Sequence, residues 1–126
     1  MNIVKSVINR NNEEENSIAK LLELIGVPND KIGYKYIVDA ILLWNKYMDI
    51  NKLNITFIYK KIAIKYNKNI FSIEKAIRKC IEHSFTYGNL KELNKLFLTD
   101  ISSKTGKINN KKFISKIAQY INREKN

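Results

Sequence analysis

What is scarce in this chain removes most kinds of chemistry before any motif is sought. It has one cysteine, Cys80, and one histidine, His83. A disulfide framework is therefore excluded, and no set of three or four Cys and His ligands can be assembled around a metal. The two stand close together, but helical spacing turns Cys80 toward the core and no third group is placed to orient His83, so no activated thiol is expected. Paired carboxylates and a glycine-rich phosphate loop are also missing, and the chain is expected to be neither an enzyme nor the holder of a cofactor. Sustained alternation of apolar and polar residues does not occur, which argues against a sheet. No apolar run approaches the roughly 18 to 20 residues of a membrane span, and Met1-Asn2-Ile3-Val4 lacks the cationic start and apolar core of a secretory signal. A cytoplasmic location without a membrane partner is expected.

What remains is a mostly helical vocabulary and an excess of positive charge. With 126 residues, 44% of them hydrophobic and 28% charged, one all-α domain with its own core is the simplest organisation. The net charge of +11 points to a polyanionic partner. The excess is uneven: residues 57–83 hold seven bases and two acids, residues 100–126 hold the same, and the other segments nearly cancel.

In chain order, residues 1–16 read as a flexible arm or linker remnant, being polar after a short apolar start. Ser17 is the expected N-cap of a first helix over about 17–25, which Gly26 and Pro28 stop. A second helix runs from after Asp30 to about Asp49 and is apolar over more than one face, as befits a central scaffold. A third is expected over 57–66 and a fourth over about 70–87, closed by Gly88-Asn89 as a left-handed cap. A short helix carrying Leu90, Leu93, Leu96 and Phe97 follows. After a polar loop, a last helix over about 110–123 turns Phe113, Ile114, Ile117, Ala118 and Ile121 inward. The expectation is a six-helix, bundle-like domain over 17–126.

The fourth helix organises the rest. Ile73, Ala76, Ile77, Cys80, Ile81 and Phe85 share one side of it, while Glu74, Lys75, Arg78, Lys79 and Glu82 share the other. Its partner upstream is separated from it by the short break Asn67-Lys68-Asn69, so the two make a helix-turn-helix. Ala63 supplies the small residue that a close crossing needs. A helix that enters the major groove of DNA needs this outer face: Arg and Lys donate to guanine, Glu accepts from cytosine, and flanking cations hold phosphates.

From about Ser17 to Glu124 the chain is similar to the C-terminal DNA-binding effector domain of the stage-zero sporulation response regulators. The resemblance rests on Ile25-Gly26-Val27-Pro28, Gly33-Tyr34, Ala40-Ile41, Ile62-Ala63, Lys65-Tyr66-Asn67, the run from Ile73 to Arg78, Ile81-Glu82, Gly88-Asn89 and Phe113-Ile114. It implies a six-helix fold whose third and fourth helices form the helix-turn-helix, binding to a short promoter element, and head-to-tail pairing of copies on adjacent DNA sites. It also implies base contacts by Glu74 and Arg78, and by Lys75 where the family has Arg. Lys at that position keeps the charge but loses the planar two-pronged donor. Phe71 and Ser72 stand where the family has a Ser-Arg pair, Lys79 where it has His, and Phe85-Thr86-Tyr87 where it has Trp-Ser-Arg. The resemblance covers the effector module and not the receiver domain that precedes it in the family.

The first expectation is thus a sequence-specific double-stranded DNA-binding regulator of transcription. Glu74, Lys75 and Arg78 are the candidate base readers, and Lys60, Lys61, Lys65, Lys68, Ser72 and Lys79 the candidate phosphate contacts. The alternative is a protein-interaction module that modulates a full-length regulator or RNA polymerase through Leu93, Leu96, Phe97 and Ile117. Nonspecific nucleic-acid packaging is a third reading, distinguished by binding that follows length and salt but not sequence.

Overall fold

The computed structural model describes the backbone of residues 3–50 and 53–125, with the side chains of residues 13–50 and 53–124. Among the described residues the chain is all-helical, in six segments: α1 Ile3–Ile25, α2 Ile32–Lys46, α3 Ile55–Tyr66, α4 Ile70–Tyr87, α5 Leu90–Phe97 and α6 Asn110–Lys125. The helix-turn-helix expected from the sequence is α3 and α4.

The middle of the fold is α2, which packs against α1, α3, α4 and α6. Its Tyr36, Ile37, Ala40 and Ile41 are all buried, as an apolar surface broader than one stripe demands. Against them lie Ile18, Leu22 and Ile25 of α1, Ile58 and Ile62 of α3, Ile73 and Ile77 of α4, and Phe113, Ile114 and Ile117 of α6. Phe97 closes the far end by stacking on Phe113 at 4.9 Å between ring centroids.

Two termini differ from expectation. Ser17 does not begin α1 but sits within it, since the helix reaches back to Ile3. Glu13, Glu14 and Glu15 are good helix formers and no Gly or Pro interrupts the segment, so the backbone stays helical ahead of Ser17. Ile18 is the first buried residue among those whose side chains are described. Met1 and Asn2 lie outside the described residues. The second difference is Gly88, which is extended (φ −84°, ψ −163°) and not left-handed. Its glycine requirement comes from crowding: a Cβ there would fall on the Ser84 carbonyl oxygen of α4 and stand 2.7 Å from the Ile25 carbonyl oxygen, where the end of α1 meets the end of α4. Gly26 is the left-handed residue at that junction (φ +87°), with its amide and that of Val27 returned to the Leu22 carbonyl. The Asn89 amide donates to Ile25 O at 3.1 Å, so the termini of α1 and α4 are joined by backbone.

Candidate nucleic-acid interface

Asparagines punctuate the helix pair. Asn54 Oδ1 accepts from the Phe57 amide at 2.9 Å and starts α3. Asn67 ends it in the left-handed region (φ 53°), and the Lys68 amide returns to the Ala63 carbonyl at 3.0 Å. Asn69 Oδ1 then accepts from the Ser72 amide at 2.8 Å and starts α4. The turn is held by its own polar groups, while Ile62 and Ala63 of α3 and Ile73 and Ile77 of α4 are buried beneath it.

The two sides of α4 separate cleanly. Ile73, Ile77, Cys80, Ile81 and Ser84 are buried, and Phe71, Ser72, Lys75, Arg78 and Lys79 are exposed. Burial pushes the Cys80 thiol up to about 11, with Lys31 opposing and Asp30 adding to the shift. Its Sγ lies 3.8 Å from the Pro28 carbonyl oxygen, and the His83 ring packs on Tyr87. Nothing joins Cys80 to His83 as a working pair.

The outer side carries two flanks. Glu74 and Arg78 are ion-paired one turn apart: Arg78 Nη1 donates to the two carboxylate oxygens at 2.6 and 2.9 Å. They face an open groove of about 700 Å³ whose far wall includes Ile55, Tyr59 and residues 107–112. Lys75, Lys79 and Ser72 line a second groove of about 500 Å³ with Lys31, Ile32 and Gly33 of the α2 start. The three candidate base readers therefore line two grooves: Lys75 the one beside α2, Glu74 and Arg78 the one beside α6. Glu74 and Lys75 are about 100° apart around the helix, and Arg78 lies between them. With both partners substantially exposed, the pair is worth about 0.3–0.5 kcal/mol and opens readily to another partner.

The candidate phosphate contacts fall into two groups. Lys60, Lys68, Ser72 and Lys79 are exposed. Lys61 and Lys65 have partners within the protein: Lys61 Nζ lies 5.3 Å from the ring centroids of Tyr47 and Phe57, and Lys65 Nζ is 3.1 Å from Asp39 Oδ2. Tyr66 donates to the same carboxylate at 2.6 Å. Burial, then that bond, raises the Tyr66 hydroxyl above its usual range.

Two residues at this interface escape sequence reasoning. Phe71, 83% exposed, lies one and two turns ahead of Lys75 and Arg78 on the same stripe. Its only signal is an apolar residue out of phase with the buried side. Asn110 is the other: it is buried at the start of α6, and its Nδ2 donates to the Tyr59 hydroxyl at 2.9 Å and the Glu74 carbonyl at 3.1 Å. Burial raises the Tyr59 hydroxyl above its ordinary value, and the Asn110 bond opposes that shift. Nothing in the sequence separates this inward Asn110 from its neighbour Asn109, whose side chain caps α6 by accepting from the Lys112 amide at 2.8 Å.

The side chains expected to serve a protein-binding surface are withdrawn from solvent. Leu93, Phe97 and Ile117 are fully buried and Leu96 is half-buried. Among the described residues no group of His, Cys, Asp and Glu could hold a metal ion, and no helix is long and apolar enough to cross a membrane. A family sequence model matches residues 18–121, from α1 into α6, and the all-helical fold with its helix-turn-helix at α3 and α4 is consistent with that family. The chain belongs to the family described as sporulation initiation factor Spo0A C terminal.

Proposed function

We propose that the chain binds double-stranded DNA in a sequence-specific manner to regulate transcription, with α4 in the major groove. One observation carries this reading. Over residues 74–79 the outer side of α4 is uncovered by the protein's other helices, while its inner side is packed into the core. A rigid helix with a free, mainly cationic face is what the roughly 12 Å wide groove admits.

In this reading Arg78 leaves Glu74 to donate to guanine, Glu74 accepts from cytosine, and Lys75 contacts a base from the α2 flank. Lys60, Lys68, Ser72 and Lys79 contact phosphates, whereas Lys61 and Lys65 do so only on giving up their aromatic and carboxylate partners. Head-to-tail pairing of copies on tandem sites belongs to the same proposal, as does a contact with RNA polymerase.

The test is selection of bound duplexes from a random pool, followed by comparison of the winner with a scrambled duplex. Arg78→Ala is expected to lose about 1–3 kcal/mol on the selected duplex and to relax discrimination at one base pair. Equal losses on selected and scrambled DNA defeat the assignment. Wild-type binding that never distinguishes the two replaces it with nonspecific packaging.

A further inference from the structure

Half of the surplus charge lies in residues 100–126, away from the helix-turn-helix in sequence. The fold brings the beginning of that segment back to α4. Lys107, Lys111 and Lys112 line the same groove as Glu74 and Arg78, on the wall that faces them. Lys111 and Lys112, in the first turn of α6, are exposed.

The wall is fixed. Asn110 ties the first residue of α6 to the Glu74 carbonyl on α4 and to the Tyr59 hydroxyl on α3. The base of the wall therefore keeps its register with the reading helix. Lys107 is held to α4 more loosely, its Nζ lying 3.7 Å from Glu82 Oε1 in an exposed pair that contributes little.

The charge placement is unfavourable for the free protein. A helix start has partial positive charge and prefers acidic side chains, yet the first turn of α6 has no acid and two lysines. Of the carboxylates that line this groove, Asp100 is occupied by Lys116 at 3.3 Å, and Glu74 and Glu82 belong to α4. Three cations and a helix N-terminus thus face the groove without an internal anion to balance them, apart from the carboxylates of α4 itself. An external polyanion supplies what is missing.

We propose that Lys107, Lys111 and Lys112 form a second phosphate-binding wall, gripping the backbone of the duplex whose major groove α4 enters. It acts on the flank of α4 opposite Lys75 and Lys79. A helix in the groove has a phosphate ridge on either side, and this arrangement places cations against both. The inference rests on α4 being the base-reading helix, and deepens that reading by assigning the C-terminal charge to the same duplex.

The experiment compares the full chain with the variant K107A/K111A/K112A and a charge-matched control, K20A/K91A/K95A, whose three positions are exposed and lie off both grooves. Affinity for the selected duplex and for a scrambled duplex of equal length is measured between 50 and 200 mM salt. In the groove variant the slope of log K against log salt is expected to shallow by about 2 to 3, with equal fold losses on the two duplexes. The control keeps a slope close to the wild type. Thermal unfolding of the groove variant is unchanged or moves upward, since cations leave the positive end of α6. A groove variant whose slope matches the wild type, or is no shallower than the control, overturns the wall while leaving α4 as reader. A wild-type chain that binds no duplex overturns the parent reading and the wall together.

Discussion

Replacing Gly33 by alanine sets two physical effects against each other at the point where α2 meets α4. Gly33 lies inside α2, and intrinsic propensity alone favours alanine there by up to about 1 kcal/mol. Packing opposes it. A Cβ on Gly33 would fall on the Ala76 carbonyl oxygen, 2.9 Å from the Ala76 carbonyl carbon and 2.9 Å from Cys80 Cβ. The clash is with the backbone of α4, which cannot rotate aside as a flexible side chain could, so the two helices must separate. Overpacking of this kind costs typically about 1–3 kcal/mol, and here the obstacle is rigid, which puts Gly33→Ala at the upper end. The net expectation is a destabilisation of about 1–2 kcal/mol, read as a fall in thermal midpoint of roughly 3–10 °C for a domain of this size. Circular dichroism melts of the two proteins measure it. An unchanged or raised midpoint means that α4 does not sit as close to α2 as the structure has it, and the placement of Lys75 and Lys79 on that flank falls with it.

Two further outcomes follow from the surroundings of α4. Asn110→Ala leaves the buried Tyr59 hydroxyl without its donor and removes the link from α6 to the Glu74 carbonyl, so denaturant unfolding should show a loss of about 1–3 kcal/mol; an unaffected midpoint argues against a fixed α6 wall. The Cys80 thiol, fully buried and held at about 11 against an ordinary 9.0, should be alkylated by iodoacetamide at pH 8 about 100-fold more slowly in the folded chain than in urea, as mass spectrometry reads it. Because the folded protein favours the protonated thiol, the stability linked to this group is present below pH 9 and declines as pH rises toward 11. Rapid alkylation at pH 8 would mean that the inner side of α4 opens to solvent.

The parts of this fold that sequence reveals are those decided by local chemistry. Asn69 starts α4 because its side chain can reach an amide three residues on, and spacing alone selects Ile73, Ile77, Cys80 and Ile81 for the core. The candidate nucleic-acid surface is legible to the extent that it is the complement of that core. What stays hidden depends on elements distant in sequence. Gly88 reads as a left-handed cap, but its backbone is extended and its lack of a side chain answers both to the Ser84 carbonyl of its own helix and to the Ile25 carbonyl, more than sixty residues away. Lys61 and Lys65 read as phosphate contacts because each is a lysine on the right helix; the ring of Tyr47 and the carboxylate of Asp39, both outside that helix, lie against their ends, together with the Phe57 ring one turn before Lys61. Ser17 reads as a helix start since capping chemistry favours it, yet a helix needs a reason to stop, and residues 3–16 provide none.

The mixture of signs on α4 bears on which kind of nucleic-acid binding the surface fits. A protein selected only to coat a polyanion gains nothing from carboxylates on the face it presents, because each repels phosphate wherever the protein lands. Glu74 and Glu82 nevertheless stand on the outer side of α4, amid Lys75, Arg78, Lys79 and the α6 lysines. In the free state Glu74 occupies Arg78, and Glu82 lies against Lys107. A duplex must therefore release these pairs before the cations can serve it. Under the proposed reading, a matching sequence offers the freed Arg78 a guanine and Glu74 a cytosine amine, and any other leaves one or both against groups that do not answer them. The carboxylates thus lower affinity for DNA in general more than for the right site, which is how a basic surface becomes a selective one.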